Sequence, residues 1–208
     1  MPRPRSLTPA RIATATLSVI DRDGLAALTM RTVARELGMA TMSLYRYVAD
    51  REELEVLVVD HVLASVDTTL PDGDWRAQVT ELAGRLRDAV RAHPGTVPLL
   101  VRHRHATPSS TRWIEATLTA LTAAGFRGEE RVIAQRTLAS FLLGALENEY
   151  HAPLAGRGTR VMAELSVANH PLLAETAALA AKVGPDEEYR RGLAMVLAGL
   201  VPGGGEVL

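Results

Sequence analysis

One segment, residues 28–48, constrains the fold of this chain more than any other. Its sequence, LTMRTVARELGMATMSLYRYV, has the pattern of two short helices joined by a tight turn at Gly38, which is typical of a helix-turn-helix. Thr29 can cap the first of these helices. Gly38 stands where the end of a helix needs a residue that adopts a positive φ without steric cost. Three apolar residues recur at helical spacing and form the buried side of the first helix: Val33, Ala34 and Leu37.

The second helix of this segment presents an unusual outer surface. We expect Thr41 to cap it and Leu44 and Val48, four residues apart, to face inward. The residues then left facing outward are Thr41, Met42, Ser43, Tyr45, Arg46 and Tyr47. Two of the chain's four tyrosines are thus exposed on one short helix, which favours a surface that contacts nucleic acid. Tyr45 could instead be a packing residue at the edge of the core.

The composition indicates a helical protein and excludes several classes of site. Hydrophobic residues make up 47% of the chain and aromatic residues only 4%, which favours packed helices over sheets. Cysteine is absent, so the chain has no disulfide, thiol nucleophile or thiolate metal site. No apolar run approaches the roughly 20 residues that span a bilayer. The basic start, residues 1–5, leads into a polar helical pattern rather than a signal peptide, and we expect a cytoplasmic protein.

The charge is unevenly distributed along the chain. The formal net charge is −1, yet residues 1–51 contain eight arginines and four acidic residues, and the remainder carries a net negative charge. A basic head on an acidic body suits a protein whose head alone meets phosphate groups. Chance scatter of charge would give a similar difference, but the helix-turn-helix lies in the basic part.

Two further helices complete the predicted head and lead out of it. Thr8 and Pro9 open the first helix of the chain, which should end at Asp23-Gly24. Asp50, with Glu53 three residues later, forms a capping box for a fourth helix that we expect to run to about Leu70.

The rest of the chain is predicted to be a helical body. Helices are expected from Asp74 to about residue 92, from Ser109 or Ser110 to Gly125, over about 129–150, from Pro171, and over about 186–200; a polar loop, residues 102–108, and a glycine-rich loop, residues 155–158, separate some of them. We therefore predict an all-α chain with a helix-turn-helix DNA-binding domain at 1–50, a connecting helix at 51–70, a larger helical domain at 71–202, and a flexible tail at 203–208.

These features together resemble the tetracycline-repressor (TetR) family. The resemblance rests on Thr32-Val33-Ala34-Arg35-Glu36-Leu37-Gly38, on the following Leu44-Tyr45, and on the capped fourth helix; in the body it rests on Asp74-Trp75-Arg76, Gly144-Ala145-Leu146-Glu147 and Pro171-Leu172-Leu173. It implies a homodimer with two heads that bind a palindromic double-stranded DNA operator. It also implies that residues 71–202 form the ligand-binding and dimerisation domain, with a pocket in each body for a small-molecule effector whose identity the sequence does not give.

The resemblance also assigns DNA contacts. The positions that match the recognition helix and its approach are Thr41, Met42, Ser43, Tyr45, Arg46 and Tyr47. Arg46 is suited to a bidentate contact with guanine, and Met42 can cover a thymine methyl group. Arg31 and Arg51, each in the first turn of a helix, are expected to hold phosphates. Arg51 could instead be a solvated charge or pair with Glu55.

The effector pocket is predicted from the same resemblance. His103 lies where the tetracycline repressor places a metal-coordinating histidine, and Asp67 stands in place of that repressor's other histidine. Because one histidine and one distant aspartate do not make a metal site, we predict no metal and no cofactor. Further candidates on helices that resemble the pocket walls are Trp113, Thr117, Gln135 and Asn148. Each could equally be an ordinary packing residue, and His103 and His105 could be parts of a polar loop.

The sequence predicts a ligand-responsive repressor and leaves alternatives open. An activator, or a regulator controlled by a protein partner, would have the same sequence features. An architectural DNA-binding protein or an all-helical enzyme is a more distant alternative, since no catalytic spacing of Ser, His and Asp or of paired carboxylates is evident. We therefore expect no enzymatic activity.

Overall fold

The computed structural model describes residues 7–151, 156–165 and 169–203, and this part of the chain contains α-helices and no strand. The helices are α1 (Pro9–Asp23), α2 (Met30–Glu36), α3 (Thr41–Leu44), α4 (Arg51–Ala64), α5 (Trp75–Arg91), α6 (Val97–His103), α7 (Pro108–Ala123), α8 (Gly128–His151), α9 (Arg157–Ala163), α10 (Pro171–Ala180) and α11 (Pro185–Gly199). The predicted all-α class, with a helix-turn-helix head and a larger helical body, is confirmed.

The chain divides into two compact units. One comprises the residues up to Asp72 together with Glu81–Thr119, and the other comprises Gly73–Thr80 and the residues from Ala120 onwards. The boundaries therefore fall between Asp72 and Gly73, within α5 and within α7, whereas we predicted boundaries after residues 50, 70 and 202. Those domain boundaries remain a prediction.

In the first unit, α1 begins and ends as its sequence predicts. The hydroxyl of Thr8 accepts a hydrogen bond from the backbone N–H of Arg11 at 3.3 Å, and Pro9 opens the helix. Gly24, with φ at +80°, follows the last helical residue, and its N–H donates to the carbonyl of Ile20. The buried side of α1 consists of Ile12, Ala13, Ala15, Thr16, Leu17, Val19 and Ile20. This apolar stripe packs mainly against α4 and α2.

Helix α4 is capped by Asp50 as predicted, but it is shorter than predicted, and the predicted capping box is incomplete because the Glu53 carboxylate accepts from the N–H of Ala49 at 2.6 Å instead of that of Asp50. The Asp50 carboxylate accepts from the backbone N–H of Glu53 at 2.9 Å. The helix ends at Ala64 instead of about Leu70, so the long connecting helix was wrong. The segment beyond Ala64 is held in another conformation: the Asp67 carboxylate accepts from the N–H of Thr69 at 2.9 Å, and Arg85 Nη1 of α5 donates to the carbonyls of Asp67 and Thr69 at 3.0 and 2.9 Å. Those carbonyls are held by a side chain distant in sequence rather than by helical partners.

The segment around His103 also differs from the prediction. His103 is the last residue of α6 and is buried, whereas we expected a polar loop there. Helix α7 begins at Pro108, and the hydroxyl of Thr107 accepts from the N–H of Ser110 at 3.1 Å. Thr107 therefore serves as the cap, and the expectation that Ser109 or Ser110 opens this helix was wrong.

The second unit is built on the close packing of α8 and α11. A Cβ atom on Gly192 would lie 3.0 Å from the Phe141 ring, so a larger residue there would require the ring to shift by a few tenths of an ångström. The Phe141 and Tyr189 rings lie 5.8 Å apart. Arg76 donates to the carbonyls of Leu197 and Leu200 at 3.2 and 3.3 Å, and so satisfies the C-terminal end of α11.

Two features of this unit were not predicted or fall outside the described residues. Helix α9, which packs against α10, was missed because Gly156 and Gly158 favoured a loop. Ala155 of the predicted glycine-rich loop and residues 204–208 of the predicted tail lie outside the described residues. Across the residues that are described, no helix combines the length and the apolar character needed to cross a membrane.

Candidate nucleic-acid interface and effector site

Helix α2 and the turn after it are fixed by local hydrogen bonds. The Thr29 hydroxyl accepts from the N–H of Thr32 at 3.1 Å, and the Thr32 hydroxyl accepts from the N–H of Thr29 at 3.0 Å. This reciprocal capping confirms the predicted role of Thr29. Gly38 has φ at +69°, as the predicted turn requires, and nothing lies near its missing Cβ. The glycine is therefore there for its backbone conformation and not for space.

Helix α3 is one turn long and is anchored by two apolar residues. Leu44 and Val48 are almost completely buried, as predicted. Ala40 occupies the cap position and makes no side-chain hydrogen bond, so the expectation that Thr41 caps this helix was wrong: Thr41 is its first residue. The turns that follow at residues 45–47 continue from the helix and carry the two tyrosines.

The side chains around this anchor face outward. Met42 is 76% exposed, and Tyr45 and Tyr47 are 46% and 45% exposed. Arg46 and Arg31 are exposed, whereas Thr41 and Ser43 are partly buried. A large apolar side chain such as Met42 in water costs free energy, which makes this surface a candidate for contact with another molecule. The individual contacts with DNA remain predictions.

Arg51, the first residue of α4, belongs to a cluster around the buried carboxylate of Glu55. Arg51 Nε donates to Glu55 Oε1 at 2.8 Å. From α6, Arg102 Nη1 donates to Glu55 Oε2 at 2.8 Å, and His103 Nε2 lies 3.0 Å from the same oxygen. The pair of Arg51 with Glu55, one of the two alternatives left open, is present. The Arg51 side chain nevertheless remains 47% exposed.

The cluster keeps Glu55 ionised and borders an open cleft. Burial by itself raises the pKa of a carboxyl group, but the hydrogen bonds from His103, Arg51 and Arg102 outweigh it, so the pKa of Glu55 lies below its ordinary value. The cleft has a volume of about 520 Å³ and is lined by Arg51, Glu52, Glu55 and Arg102. Sequence reasoning missed Arg102 in this cluster, because it lies 47 residues from Glu55 and no local pattern connects the two.

The predicted effector residues of the first unit already have partners in the protein. Asp67 is exposed, accepts from the N–H of Thr69 at 2.9 Å and pairs with Arg85 at 3.3 Å. The indole N–H of Trp113 donates to the carbonyl of Leu82 at 3.1 Å. Thr117 is fully buried and donates to the carbonyl of Trp113 at 3.0 Å. With His103 bound to Glu55, all four of these predicted side chains make hydrogen bonds within the fold.

The two predicted effector residues of the second unit are on α8 and differ from each other. Gln135 is partly buried, and its Oε1 atom is buried with no hydrogen-bond partner. Asn148 is exposed. They are thirteen positions apart, which places them on different sides of α8. Of these two residues, Gln135 is the one with a buried side-chain oxygen that accepts no hydrogen bond.

Comparisons with known proteins agree with these features. Residues 12–55 match the family described as bacterial regulatory proteins, tetR family, and residues 68–202 match the tetracyclin repressor-like C-terminal domain. The HTH-type transcriptional repressor DrrR1 of Streptomyces coeruleorubidus is 34% identical over 175 residues, which cover 83% of this chain. The chain spans 64% of the length of that relative.

Solved structures are similar over almost the entire chain. ActR of Streptomyces coelicolor in complex with actinorhodin has a TM-score of 0.84 and 28% identity, and the match covers 98% of this chain and 99% of that one. BioQ with its double-stranded DNA operator has a TM-score of 0.71 and 26% identity, covering 94% of this chain and 98% of that one. The chain belongs to the TetR family of bacterial transcriptional regulators.

Proposed function

We propose that this chain is a ligand-responsive, DNA-binding repressor. The observation that carries the proposal is the exposed set of side chains on α3 and the following turn, held over the buried pair Leu44 and Val48. This arrangement presents hydrogen-bond donors and one large apolar side chain to a neighbour while the backbone beneath stays fixed. The similarity to a repressor and to structures with a small molecule or an operator supports the same function.

Each exposed side chain suits a particular part of a DNA duplex. Arg46 can donate two hydrogen bonds to a guanine edge in the major groove, and Met42 can cover a thymine methyl group. Thr41 and Ser43 can reach base edges or phosphates. Tyr45 and Tyr47 suit phosphates through their hydroxyl groups, and Arg31 and Arg51 suit phosphates through charge. We therefore propose that the protein acts in the cytoplasm, where it binds double-stranded DNA and does not bind a membrane.

The exposed face of α8 supports a homodimer. Val132 and Ile133 are 46% and 62% exposed, and Ser140 and Gly144, which lie on the same side of the helix as Ile133, are small and exposed. Helix α11 has a comparable face, with Met195 at 69% exposure next to exposed Ala194 and Ala198. Apolar residues interleaved with small ones let helices approach closely. These two helices and their symmetry mates would form a four-helix bundle.

In such a dimer the two α3 helices would enter successive major grooves of a palindromic operator, about 34–36 Å apart. An effector that binds better to a dimer with another spacing shifts the population away from the DNA-bound form. Asp67, His103, Trp113, Thr117, Gln135 and Asn148 remain the proposed effector residues. Gln135 supports this best, since an N–H or O–H group of a ligand would satisfy its buried oxygen.

Activation of transcription, or control by a protein partner, is compatible with the same geometry and stays an alternative. An enzyme is disfavoured because the relatives are transcriptional regulators. An architectural DNA-binding protein is also disfavoured, because it would not need a side chain such as Arg46 that is suited to hydrogen bonds with a guanine base.

The test is a binding selection followed by titration. The full-length protein is used to enrich duplexes from a random-sequence pool, and the enriched duplex is compared with a scrambled one by fluorescence anisotropy. We expect preference for a palindrome with two protomers per site. Arg46→Ala should lower affinity for the enriched duplex by about 1–3 kcal/mol and relax its sequence preference. Arg11→Ala, an exposed arginine on α1, is the matched control.

Equal binding of both duplexes, with affinities that fall together as salt rises, would establish the architectural alternative. Addition of candidate ligands to the complex then identifies the effector through release of the labelled duplex.

A further inference from the structure

Glu55 connects two helices of the first unit through a single carboxylate. It lies one turn after the start of α4 and is only 3% exposed. Oε1 accepts from Arg51 of the same helix, and Oε2 accepts from Arg102 and His103 of α6. A buried carboxylate with three donors has little freedom to move, because any rotation would break at least one charge-assisted hydrogen bond.

The contact with Glu55 determines how Arg51 can bind a second acceptor. A guanidinium group has five N–H donors in one plane. Glu55 takes the Nε–H of Arg51, so the two terminal nitrogens are the donors that serve another acceptor. Those terminal nitrogens form the edge that binds a phosphate through two parallel hydrogen bonds. The side chain is 47% exposed, so this edge is accessible.

The charges around Glu55 also leave Arg51 able to bind an anion. Two guanidinium groups, from Arg51 and Arg102, share the one buried carboxylate of Glu55. Glu55 therefore orients Arg51 without cancelling the positive charge of the pair of arginines. Glu52 lines the same cleft and is exposed, and it provides a negative charge of equal size for comparison.

We propose that Glu55 is a positioning residue for DNA binding: held by Arg102 and His103 of α6, it fixes the Arg51 guanidinium so that its terminal edge meets a DNA phosphate. The inference rests on the proposed function, since it requires that the protein bind a duplex. It assigns a role in DNA binding to three residues outside the recognition surface, namely Glu55, Arg102 and His103.

The test uses two substitutions that remove the same charge with opposite expected effects. If only net charge mattered, Glu55→Gln and Glu52→Gln would both strengthen binding to the polyanion. If Glu55 positions Arg51, Glu55→Gln weakens binding by about 5–30-fold through loss of one ordered charge-assisted contact per head, while Glu52→Gln leaves it unchanged or tighter. The probe is the duplex enriched from a random pool with the wild-type protein, measured by anisotropy at fixed salt.

A double-mutant cycle separates positioning from general damage to the fold. In an Arg51→Ala background, Glu55→Gln should have almost no further effect on affinity, because the side chain that it positions is gone. A loss of the same size in both backgrounds would overturn the proposal. Circular dichroism melting curves of all variants show whether the helices are retained.

Arg51→Lys provides a second route if Glu55→Gln proves too unstable to purify. Lysine keeps the charge but has neither the Nε–H nor the planar edge, so positioning predicts a clear loss of affinity for the same duplex. Binding equal to wild type would overturn the proposal. Failure of the wild-type protein to bind any duplex would reject the proposed function itself, and with it this inference, whereas wild-type binding with Glu55→Gln equal to Glu52→Gln rejects the positioning role alone.

Discussion

His93 Nδ1 lies 2.8 Å from a carboxylate oxygen of Asp21, so the segment that follows α5 is paired with the last turn of α1. Two residues further on, the backbone of Gly95 runs close to Ile20 of the same turn. The pair is partly exposed and contributes modestly by itself. The close approach at Gly95 is more demanding, because it leaves no room for a side chain.

Gly95→Ala should therefore destabilise the protein. An added Cβ would lie 2.8 Å from Cγ2 of Ile20, a buried side chain that cannot easily move. We expect a loss of about 1–3 kcal/mol in the free energy of unfolding, measured by urea titration. Gly84→Ala in the middle of α5 is the control, since nothing lies within 4 Å of its added Cβ and alanine there should stabilise by about 0.5–1 kcal/mol. Equal effects of the two changes would contradict the close contact.

The stability of the first unit should fall in acid through Glu55. Because the folded pKa of Glu55 is depressed below its ordinary value of 4.5, its contribution is complete above that value and is lost as the pH falls through the folded pKa. We expect Glu55→Gln to be less stable than wild type at pH 7 and to lose less stability as the pH falls from 7 to well below 4.5. Melting temperatures at several pH values check this.

Other carboxylates also contribute to the loss of stability at low pH, and they are present in both wild type and Glu55→Gln. The N–H of Thr69 lowers the pKa of Asp67, and Arg22 lowers that of Asp23. Both remain in Glu55→Gln, so the variant should retain part of the acid sensitivity. Glu52→Gln is the charge-matched control. If both variants lose equally less stability than wild type as the pH falls, Glu55 makes no special contribution to the acid sensitivity.

Trp113→Phe should cost about 1–3 kcal/mol of stability. The change removes the indole N–H that donates to Leu82 and leaves space in the buried site. The chain has two tryptophans, and Trp75 in the second unit is more exposed. The emission of Trp113→Phe should therefore shift to the red, while Trp75→Phe should shift it to the blue. Emission spectra together with urea titrations measure both effects, and a blue shift in Trp113→Phe would contradict the burial of the indole.

Ile133→Glu should dissociate the proposed dimer. Ile133 is 62% exposed on the face of α8 that we expect to be buried between protomers, and a buried charge without a partner is costly. Sedimentation velocity should show a shift from dimer to monomer. Ala77→Glu, in the exposed first turn of α5, adds the same charge and should leave the dimer intact. An unchanged dimer in Ile133→Glu would place the interface elsewhere.

Local signals were sufficient for the elements whose ends depend on nearby residues. The caps at Thr8, Thr29 and Asp50 and the positive φ at Gly38 follow from side-chain chemistry within four residues, and the structure has each of them. The buried pair of Leu44 and Val48 follows from helical spacing. These features define the helix-turn-helix, so the sequence also identified the family.

Contacts between residues far apart in sequence determined the rest. Arg85 of α5 holds the carbonyls of Asp67 and Thr69 in the segment after α4, and the buried His103 of α6 lies 3.0 Å from the Glu55 carboxylate of α4. The residues that ended up in the Glu55 cluster carried no local signal of their partnership beyond the spacing of Arg51 and Glu55. The sequence by itself determined the caps of α1, α2 and α4, the turn at Gly38 and the buried pair Leu44 and Val48, because those depend on neighbouring residues. Only the tertiary structure decided which charged side chains meet, because that depends on how helices pack.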